Sequence, residues 1–274
     1  MTQDYQPFKS LEHAGWSETG VSRTYESYFT RLTSQSIAPL LDAVGAGAGV
    51  RLLDVATGPG HLASLAAERG ANVTGVDISP AMVEIARRLY PGVEFRTGDA
   101  EALPFPPASF DAVVMNYGLL HLSRPELAIA EAFRVLRTGG RFAFTVWAPP
   151  DEARGFGLIL ESVLSKGNSA VPLPPGPPFF RFADPDESRA ALEAAGFSDA
   201  RVADVPQRWL LPGAGALLKV FEEGTVRTRA LLKGQTPEAM QAIRDAVHAA
   251  AQAFATANGL DIPMPAVLSS GLKP

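Results

Sequence analysis

The sequence contains no cysteine among its 274 residues, which excludes disulfide bonds, thiolate metal sites and a cysteine nucleophile. It has no cluster of lysine and arginine, and its net charge of −5 is opposite in sign to a nucleic-acid-binding surface. No apolar run approaches the ~18 residues that span a bilayer, and the N-terminal residues lack the basic and apolar regions of a signal peptide. We therefore expect a cytoplasmic protein that binds neither nucleic acid nor membranes.

Apolar runs of strand length alternate with helical patterns between Val50 and Trp147. This alternation is typical of βαβ units, which build a parallel sheet covered by helices on both faces. The helices between the strands carry start signals, among them Ser79-Pro80 and a capping box from Ser123 to Glu126. The predicted strands are 50–55, 72–77, 93–97, 110–116 and 141–147.

Beyond Trp147 a proline-rich loop at 171–178 interrupts this pattern. We then predict a strand over 200–211, a helical insertion over 212–258 and a last strand over about 262–269. The expected fold class is α/β, with a seven-stranded, mostly parallel sheet, helices on both faces and an inserted helical lid. The expected units are an N-terminal helical cap (1–49), the sheet domain (50–211 and 259–274) and the lid (212–258).

The last helix of the lid is predicted to begin at Pro237, after Thr236. Its apolar face consists of Met240, Ile243, Val247, Ala250 and Phe254. This face could roof an acceptor pocket at the carboxyl edge of the sheet, together with Trp16 and Tyr28. It could instead pack against a second subunit, which would make the protein a homodimer. We favour the roof.

A turn rich in small residues follows the first predicted strand and includes Gly58 and Gly60. Such a turn lets a ligand approach the backbone, and the free N–H groups of the following helix attract anionic groups. About twenty residues later, Asp77 ends the second strand, where an acidic side chain can accept ribose hydroxyls. The same pattern also fits a dinucleotide-binding fingerprint, so these residues alone leave the cofactor open.

Three later segments complete a longer pattern, and they read GDAEALPF (98–105), SFDAVV (109–114) and EAFRVLRTGGR (131–141). In this order after the glycine-rich turn, they resemble the type 11 class I methyltransferases, the group related to the ubiquinone/menaquinone C-methyltransferases. The resemblance is strong over 50–147 and looser over 182–197. It implies a Rossmann-like domain that binds S-adenosylmethionine.

The resemblance also assigns residues to parts of the cofactor. These are Asp54, Gly58 and Gly60 for the methionine part, Asp77 for the ribose, Ile78 and Met82 for the adenine faces, Asp99 and Ala100 for the adenine amino group, and Asn116 beside the sulfonium. Each has a structural alternative. For Ile78 and Met82, packing in the core is an explanation of equal weight to contact with the adenine.

Methyl transfer from a sulfonium needs mainly alignment of a nucleophile, so a catalytic base is optional. If there is one, His121 is our candidate, because it follows the fourth strand and histidine titrates near neutral pH. Tyr117 is a second candidate, and a structural role is the alternative for both. Nothing around the fourth strand has metal-ligand spacing, so we expect metal-free chemistry.

We therefore predict a methyltransferase that transfers a methyl group from S-adenosylmethionine to an oxygen, carbon or nitrogen atom of a small molecule. One alternative is a nicotinamide-dependent oxidoreductase. Another is a regulatory protein that binds the cofactor without catalysis. The sequence does not identify the acceptor.

Overall fold

The computed structural model describes residues 5–274. Its strands are β1 (Arg51–Val55), β2 (Asn72–Asp77), β3 (Glu94–Thr97), β4 (Phe110–Asn116), β5 (Leu136–Trp147), β6 (Ser198–Val205), β7 (Arg208–Leu211), β8 (Ala255–Thr256), β9 (Gly259–Pro263) and β10 (Ala266–Leu272). Seven of them form one sheet in the order β3-β2-β1-β4-β5-β10-β6. Six of these strands run in the same direction, and β10 runs in the opposite direction between β5 and β6. The predicted seven-stranded, mostly parallel α/β sheet is confirmed.

The strand order reverses beside β1, which pairs with β2 on one side and with β4 on the other. Leu52, Leu53, Val113 and Val114 in these two strands are fully buried, as expected for a parallel sheet covered on both faces. In open α/β sheets, ligands bind outside the carboxyl ends of the strands at such a reversal. The topology therefore places the site just beyond β1, β2 and β4.

Eleven α-helices surround the strands within the described residues. They are α1 (Gln6–Ser17), α2 (Thr19–Thr33), α3 (Ile37–Ala43), α4 (His61–Glu68), α5 (Pro80–Leu89), α6 (Pro125–Val135), α7 (Arg154–Lys166), α8 (Pro185–Ala194), α9 (Ala214–Glu223), α10 (Arg227–Lys233) and α11 (Pro237–Ala251). α1 packs against α2 and α5, and α2 against α9. The N-terminal helices thus connect the parallel half of the sheet to the insertion.

Two predicted helix starts have different outcomes. Ser79 caps α5 as predicted, since its hydroxyl accepts a hydrogen bond from the Met82 amide at 3.2 Å. The capping box predicted at Ser123 is wrong. Arg124 is the N-cap of α6, and the Ser123 hydroxyl instead donates to Glu101, because the buried carboxylate of Glu101 is a stronger acceptor.

Both strands predicted in the C-terminal third are wrong, because each is divided between two sheets. The stretch 200–211 falls into β6 and β7, and 262–269 falls into β9 and β10. β7, β9 and β8 form a separate three-stranded antiparallel sheet. Proline lies at each division, Pro206 in one case and Pro265 in the other, and proline cannot donate to a strand ladder.

α11 begins after Thr236, whose hydroxyl accepts from the Ala239 amide as expected for an N-cap. Its buried face consists of Ile243, Val247 and Ala251, whereas the predicted Ala250 is exposed. Phe254 lies beyond the helix, in a 3-10 turn. The face packs against α7 and α9 of the same chain. The prediction that it roofs an acceptor pocket is therefore wrong, and the same packing removes the face from a second subunit.

No helix within residues 5–274 combines the length and the apolar character needed to cross a bilayer. Residues 1–4, with which the predicted cap begins, lie outside the described residues.

Candidate active site

A cavity with about 840 Å³ of empty space lies beyond the carboxyl ends of β1, β2 and β4, and we call it the switch-point cavity. The loops after these strands form one wall, and α1 forms the opposite wall. Nearly all the residues predicted for the site line it, namely Gly58, Asp77, Ile78, Met82, Asp99, Ala100, Asn116, Tyr117 and His121. Asp54 and Gly60 are the two that do not.

Asp77 ends β2 and lines the switch-point cavity while being only 8% exposed. Its Oδ2 accepts from the Gly58 amide at 2.9 Å, and its Oδ1 accepts from the Ser79 amide at 2.8 Å. Burial raises the pKa of Asp77, although these backbone hydrogen bonds act in the opposite direction. Each carboxylate oxygen keeps a further lone pair, so Asp77 can also accept from hydroxyl groups of a ligand.

The glycine-rich loop is left-handed at Gly58 (φ +54°) and Gly60 (φ +87°). A Cβ at Gly58 would meet no atom within 4 Å, so the loop leaves open space there. A Cβ at Gly60 would lie 2.7 Å from the Phe95 ring. The left-handed backbone and the Phe95 ring behind the loop therefore explain why position 60 is a glycine.

Asp54 lies behind the loop rather than in the cavity wall, and it is 1% exposed. Its carboxylate accepts from the Thr57 hydroxyl at 2.6 Å. Burial raises the pKa of Asp54 to about 7, and the nearby charge of Asp77 adds to this effect. The visible role of Asp54 is to hold the glycine-rich loop through Thr57.

Two residues in the cavity wall have left-handed backbones although they are not glycine. They are Ala56, at φ +55°, and Tyr117, at φ +56°. Such a conformation costs on the order of 1–3 kcal/mol for a side chain with a Cβ and is concentrated at functional sites. A Cβ on Gly118 would lie 2.6 Å from the Ala56 side chain, so the loops after β1 and β4 approach each other closely here.

Asp99 and its neighbour Glu101 are joined to α1 by one lysine. The Lys9 ammonium lies 2.6 Å from Asp99 Oδ2 and 2.7 Å from Glu101 Oε2. Glu101 also accepts from the Ser123 hydroxyl and the Arg124 amide, both at 2.8 Å. Burial favours a higher pKa for Glu101, but the hydrogen bonds from Lys9, Ser123 and Arg124 outweigh it and lower the pKa. These contacts hold α1 against the cavity.

Asn116 and Tyr117 at the end of β4 are both engaged within the protein. Asn116 accepts from the Ser36 hydroxyl at 2.9 Å and donates to the Thr33 carbonyl at 3.2 Å. The Tyr117 hydroxyl is hydrogen-bonded to the Gln207 side chain at 2.7 Å. Burial raises the pKa of Tyr117, so this hydroxyl stays protonated and is not available as a base. The ring of Tyr117, rather than its hydroxyl, is what the cavity presents.

His121 is paired with a buried carboxylate from α1. Its Nδ1 lies 2.9 Å from Glu12 Oε2, which also accepts from the Trp16 indole at 3.0 Å. Glu12 is 4% exposed, and its Oε1 has no hydrogen-bond partner among residues 5–274. A carboxylate accepts only, so the imidazole donates from Nδ1, and in its neutral form it carries the lone pair on Nε2. This is the tautomer that a general base requires.

A second cavity, with about 430 Å³ of empty space, adjoins the first, and we call it the aromatic cavity. It shares with the first cavity the residues Trp16, Tyr25, Tyr117 and His121. The rest of its wall consists of Phe29, Trp147, Phe156, Phe179 and the segment from Thr225 to Thr228. Tyr117 stacks on Trp147 with ring centroids 4.0 Å apart. We call the region of these four shared residues the passage; on one side lies a cavity with acidic side chains in its wall, and on the other a cavity lined by rings.

Sequence analysis missed Lys9, Glu12 and Glu101. Lys9 and Glu12 come from α1, which carries no motif, and their partners are about a hundred residues away in the chain. Glu101 lies inside a quoted motif, but nothing local shows that it is buried. Only the docking of α1 onto the loops reveals these contacts.

Comparison with known proteins agrees with this geometry. Residues 53–144 match the methyltransferase domain family of type 11. The demethylmenaquinone methyltransferase of Renibacterium salmoninarum is 33% identical over 198 residues, which are 69% of this chain and 82% of that protein. The protein of the same name from Thermus thermophilus is 38% identical over 165 residues, 54% of this chain and 74% of that protein.

A similar fold occurs in a solved structure with the cofactor bound. It is the phosphoethanolamine N-methyltransferase 2 of Haemonchus contortus in complex with S-adenosyl-L-methionine. The match has a TM-score of 0.60 at 18% sequence identity and covers 97% of this chain and 60% of that one. At this identity the likeness concerns the fold alone.

Proposed function

Because the chain belongs to the class I S-adenosylmethionine-dependent methyltransferases of the ubiquinone/menaquinone type, we propose that the switch-point cavity holds the cofactor and the aromatic cavity holds the methyl acceptor. The protein is a small-molecule methyltransferase, and its cofactor is S-adenosylmethionine. The observation that carries the proposal is the passage at Tyr117 and His121, where a cavity with an acidic wall meets one walled by rings.

The residues of the switch-point cavity fit this cofactor. Asp77 offers free carboxylate lone pairs to the ribose hydroxyls, and the open space at Gly58 admits the methionine part. Ile78 and Met82 contribute apolar surface for the adenine ring, and Asp99 with Ala100 lies where the adenine amino group would be bound. We assign Asp54 and Gly60 a supporting role behind the loop, and Asn116 the role of holding the end of β4.

When bound, the cofactor supplies a methyl group that is electrophilic because it is attached to a sulfonium. The chain's own residues then align the acceptor, exclude water and accept a proton. We propose His121 as the general base, with Nε2 as the accepting atom. Glu12 positions the ring and stabilises the imidazolium that forms, as a carboxylate does for a catalytic histidine elsewhere.

The acceptor that fits best is planar and largely apolar, because aromatic rings favour stacked and edge-to-face contacts with other rings. Both relatives above are named for action on demethylmenaquinone, so a quinone-derived ring is a reasonable first compound to test. A cytoplasmic location and a homodimer stay predictions. The homodimer was predicted from the apolar face of α11, which packs against α7 and α9 of the same chain.

Titration calorimetry tests the first half of the proposal. We expect S-adenosylmethionine and S-adenosylhomocysteine to bind with dissociation constants in the micromolar range, about −7 to −8 kcal/mol. NAD should not bind. Tight binding of NAD with neither sulfur compound bound would contradict the proposal.

The second half of the proposal, that the aromatic cavity holds the methyl acceptor, is tested by S-adenosylhomocysteine formation across a panel of aromatic acceptors. Cofactor binding without turnover on any of them would favour the regulatory alternative.

A further inference from the structure

Within the described residues, one arginine that lines the aromatic cavity has no ionic partner. Arg227 begins α10, and its Cζ lies 5.1 Å from the centroid of the Phe8 ring. Its Nη1 is 3.3 Å from the Pro177 carbonyl oxygen. Within residues 5–274, Arg227 forms no ion pair. The described part of the chain therefore leaves this positive charge without an ionic partner.

The arginine two residues further along shows the contrast. Arg229 lies in the same helix and pairs with Glu18 at 2.8 Å. Burial lowers the pKa of Arg227, and only the charge of Glu12 opposes this effect. Glu12 forms no salt bridge with Arg227, and its Oε2 accepts from both His121 and Trp16. A guanidinium stays charged at physiological pH, and a partly buried charge is unfavourable until an anion pairs with it.

Arg227 differs from His121 in the cavities that it lines. It lines the aromatic cavity but not the switch-point cavity, whereas His121 lines both. Thr228, the next residue, adds a hydroxyl to the same wall. A molecule held between the rings would thus have both His121 and Arg227 in the wall around it.

Resting on the proposed function, we infer that the methyl acceptor is a planar aromatic carboxylate and that Arg227 binds its carboxylate group. The planar fork of a guanidinium matches the two oxygens of a carboxylate. The aromatic walls hold the ring, and the atom to be methylated lies at the passage beside His121. A neutral quinone-derived ring would fill the same cavity but would leave Arg227 unpaired.

Two probes of matched shape test this inference, namely 2-naphthoate and 2-naphthamide, which differ in charge. They are titrated into the full-length protein saturated with S-adenosylhomocysteine, and the fluorescence of Trp16 and Trp147 in the cavity wall reports binding. The test variant is Arg227→Met, which keeps an apolar stem and removes the charge. Arg227→Lys keeps the charge without the fork. Arg229→Met is the matched control, because Arg229 does not line the cavity.

We expect the wild-type protein and the Arg229→Met variant to bind the carboxylate about tenfold or more tightly than the carboxamide. Arg227→Met should lose this preference by weakening the carboxylate alone, and Arg227→Lys should retain part of it. Equal binding of both probes by the wild type would overturn the inference and leave the proposed function intact. So would an equal loss of both probes in Arg227→Met, since that would mean that Arg227 merely holds Phe8 and Pro177 in place. If the wild type bound S-adenosylhomocysteine but neither probe, the aromatic cavity would not be the acceptor site, and the inference would fall with that part of the proposal.

Discussion

At the scale of single residues, the site contains two buried aspartates whose surroundings differ. Asp77 accepts from two backbone amides and lines the cavity, whereas Asp54 accepts from one hydroxyl and lies behind the loop. Burial raises the pKa of both. We expect substitution of the first to affect ligand binding and substitution of the second to affect stability.

Asp77→Asn should weaken binding of S-adenosylmethionine by about 5- to 150-fold, or about 1–3 kcal/mol, because the ribose hydroxyls lose a charged acceptor. Titration calorimetry measures the change. Asp42→Asn is the control, since the Asp42 side chain is 70% exposed and pairs with Arg69 far from the cavity. An unchanged dissociation constant in Asp77→Asn would show that Asp77 does not bind the ribose.

Asp54 should make the protein less stable as the pH rises. An aspartate in the unfolded chain titrates near pH ~3.9, whereas the pKa of Asp54 in the folded protein is about 7. Between these values the folded state holds a proton that the unfolded state releases, so the unfolding free energy falls as the pH rises through this window. Asp54→Asn should flatten that slope in urea unfolding at about pH 5 and about pH 8. A slope equal to that of the wild type would contradict the prediction, and Asp42→Asn should leave the slope unchanged.

His121→Ala should lower turnover by about a hundredfold or more, the usual contribution of a general base, while cofactor affinity is kept. Glu12→Gln should cause a smaller loss, because the imidazole remains but is no longer stabilised by a carboxylate. His13→Ala is a suitable control, since His13 lines the cavity in α1 but is exposed. Initial rates with an accepted substrate measure the effect. Normal turnover in His121→Ala would leave alignment as the whole mechanism.

At the scale of secondary-structure elements, α1 forms part of the wall of the switch-point cavity, whereas α11 packs against other helices outside that cavity. α1 contributes Lys9, Glu12 and Trp16 to the cavity. The carbonyl of Trp16 also accepts from the hydroxyl of Ser79, two residues after the end of β2. α11 contributes no residue to either cavity described above, and its buried face holds α7 and α9. The two helices should therefore respond to substitution in different ways.

Val247→Asp should destabilise the fold by about 3 kcal/mol or more, because it places an unpaired charge among apolar side chains. Val247 is fully buried, whereas Ala250 on the same helix is exposed. Ala250→Asp is therefore the matched control, and we expect it to change stability by less than about 0.5 kcal/mol. Urea unfolding measures both variants. Dissociation of a dimer without loss of stability in Val247→Asp would show that the face is an interface.

At the scale of the whole molecule, the switch-point cavity is formed by segments that are distant in the sequence, from α1 to the loop after β4. A ligand bound there should hold them together and stabilise the fold. At a hundredfold excess over its dissociation constant, S-adenosylmethionine should add about 2.7 kcal/mol of stability and raise the melting temperature by about 5 °C. Differential scanning fluorimetry measures the shift, with NAD at the same concentration as control. A similar rise with NAD would contradict the assignment of the cavity.

Local sequence determined the parallel half of the fold and the cofactor side of the site. The strands 72–77 and 110–116 have the predicted bounds, because turn and helix-start signals such as Gly70 and Ser79-Pro80 mark strand ends without distant information. Gly58 and Asp77 were identifiable because each follows a strand, and the topology of an α/β sheet brings strand ends together. These features depend on short-range patterns, which a sequence states directly.

Tertiary structure decided the acceptor side. The pairing of His121 with Glu12 joins residues 109 positions apart, and no local pattern in α1 predicts it. The stretch 200–211 has strand character throughout, but only the partners β10 and β9 decide which part joins which sheet. The α11 face was visible as apolar, yet its partner was not, because amphipathicity shows that a face is covered without showing by what. The sequence therefore predicted residues that line the switch-point cavity, and the packing of distant helices decided the wall of the aromatic cavity.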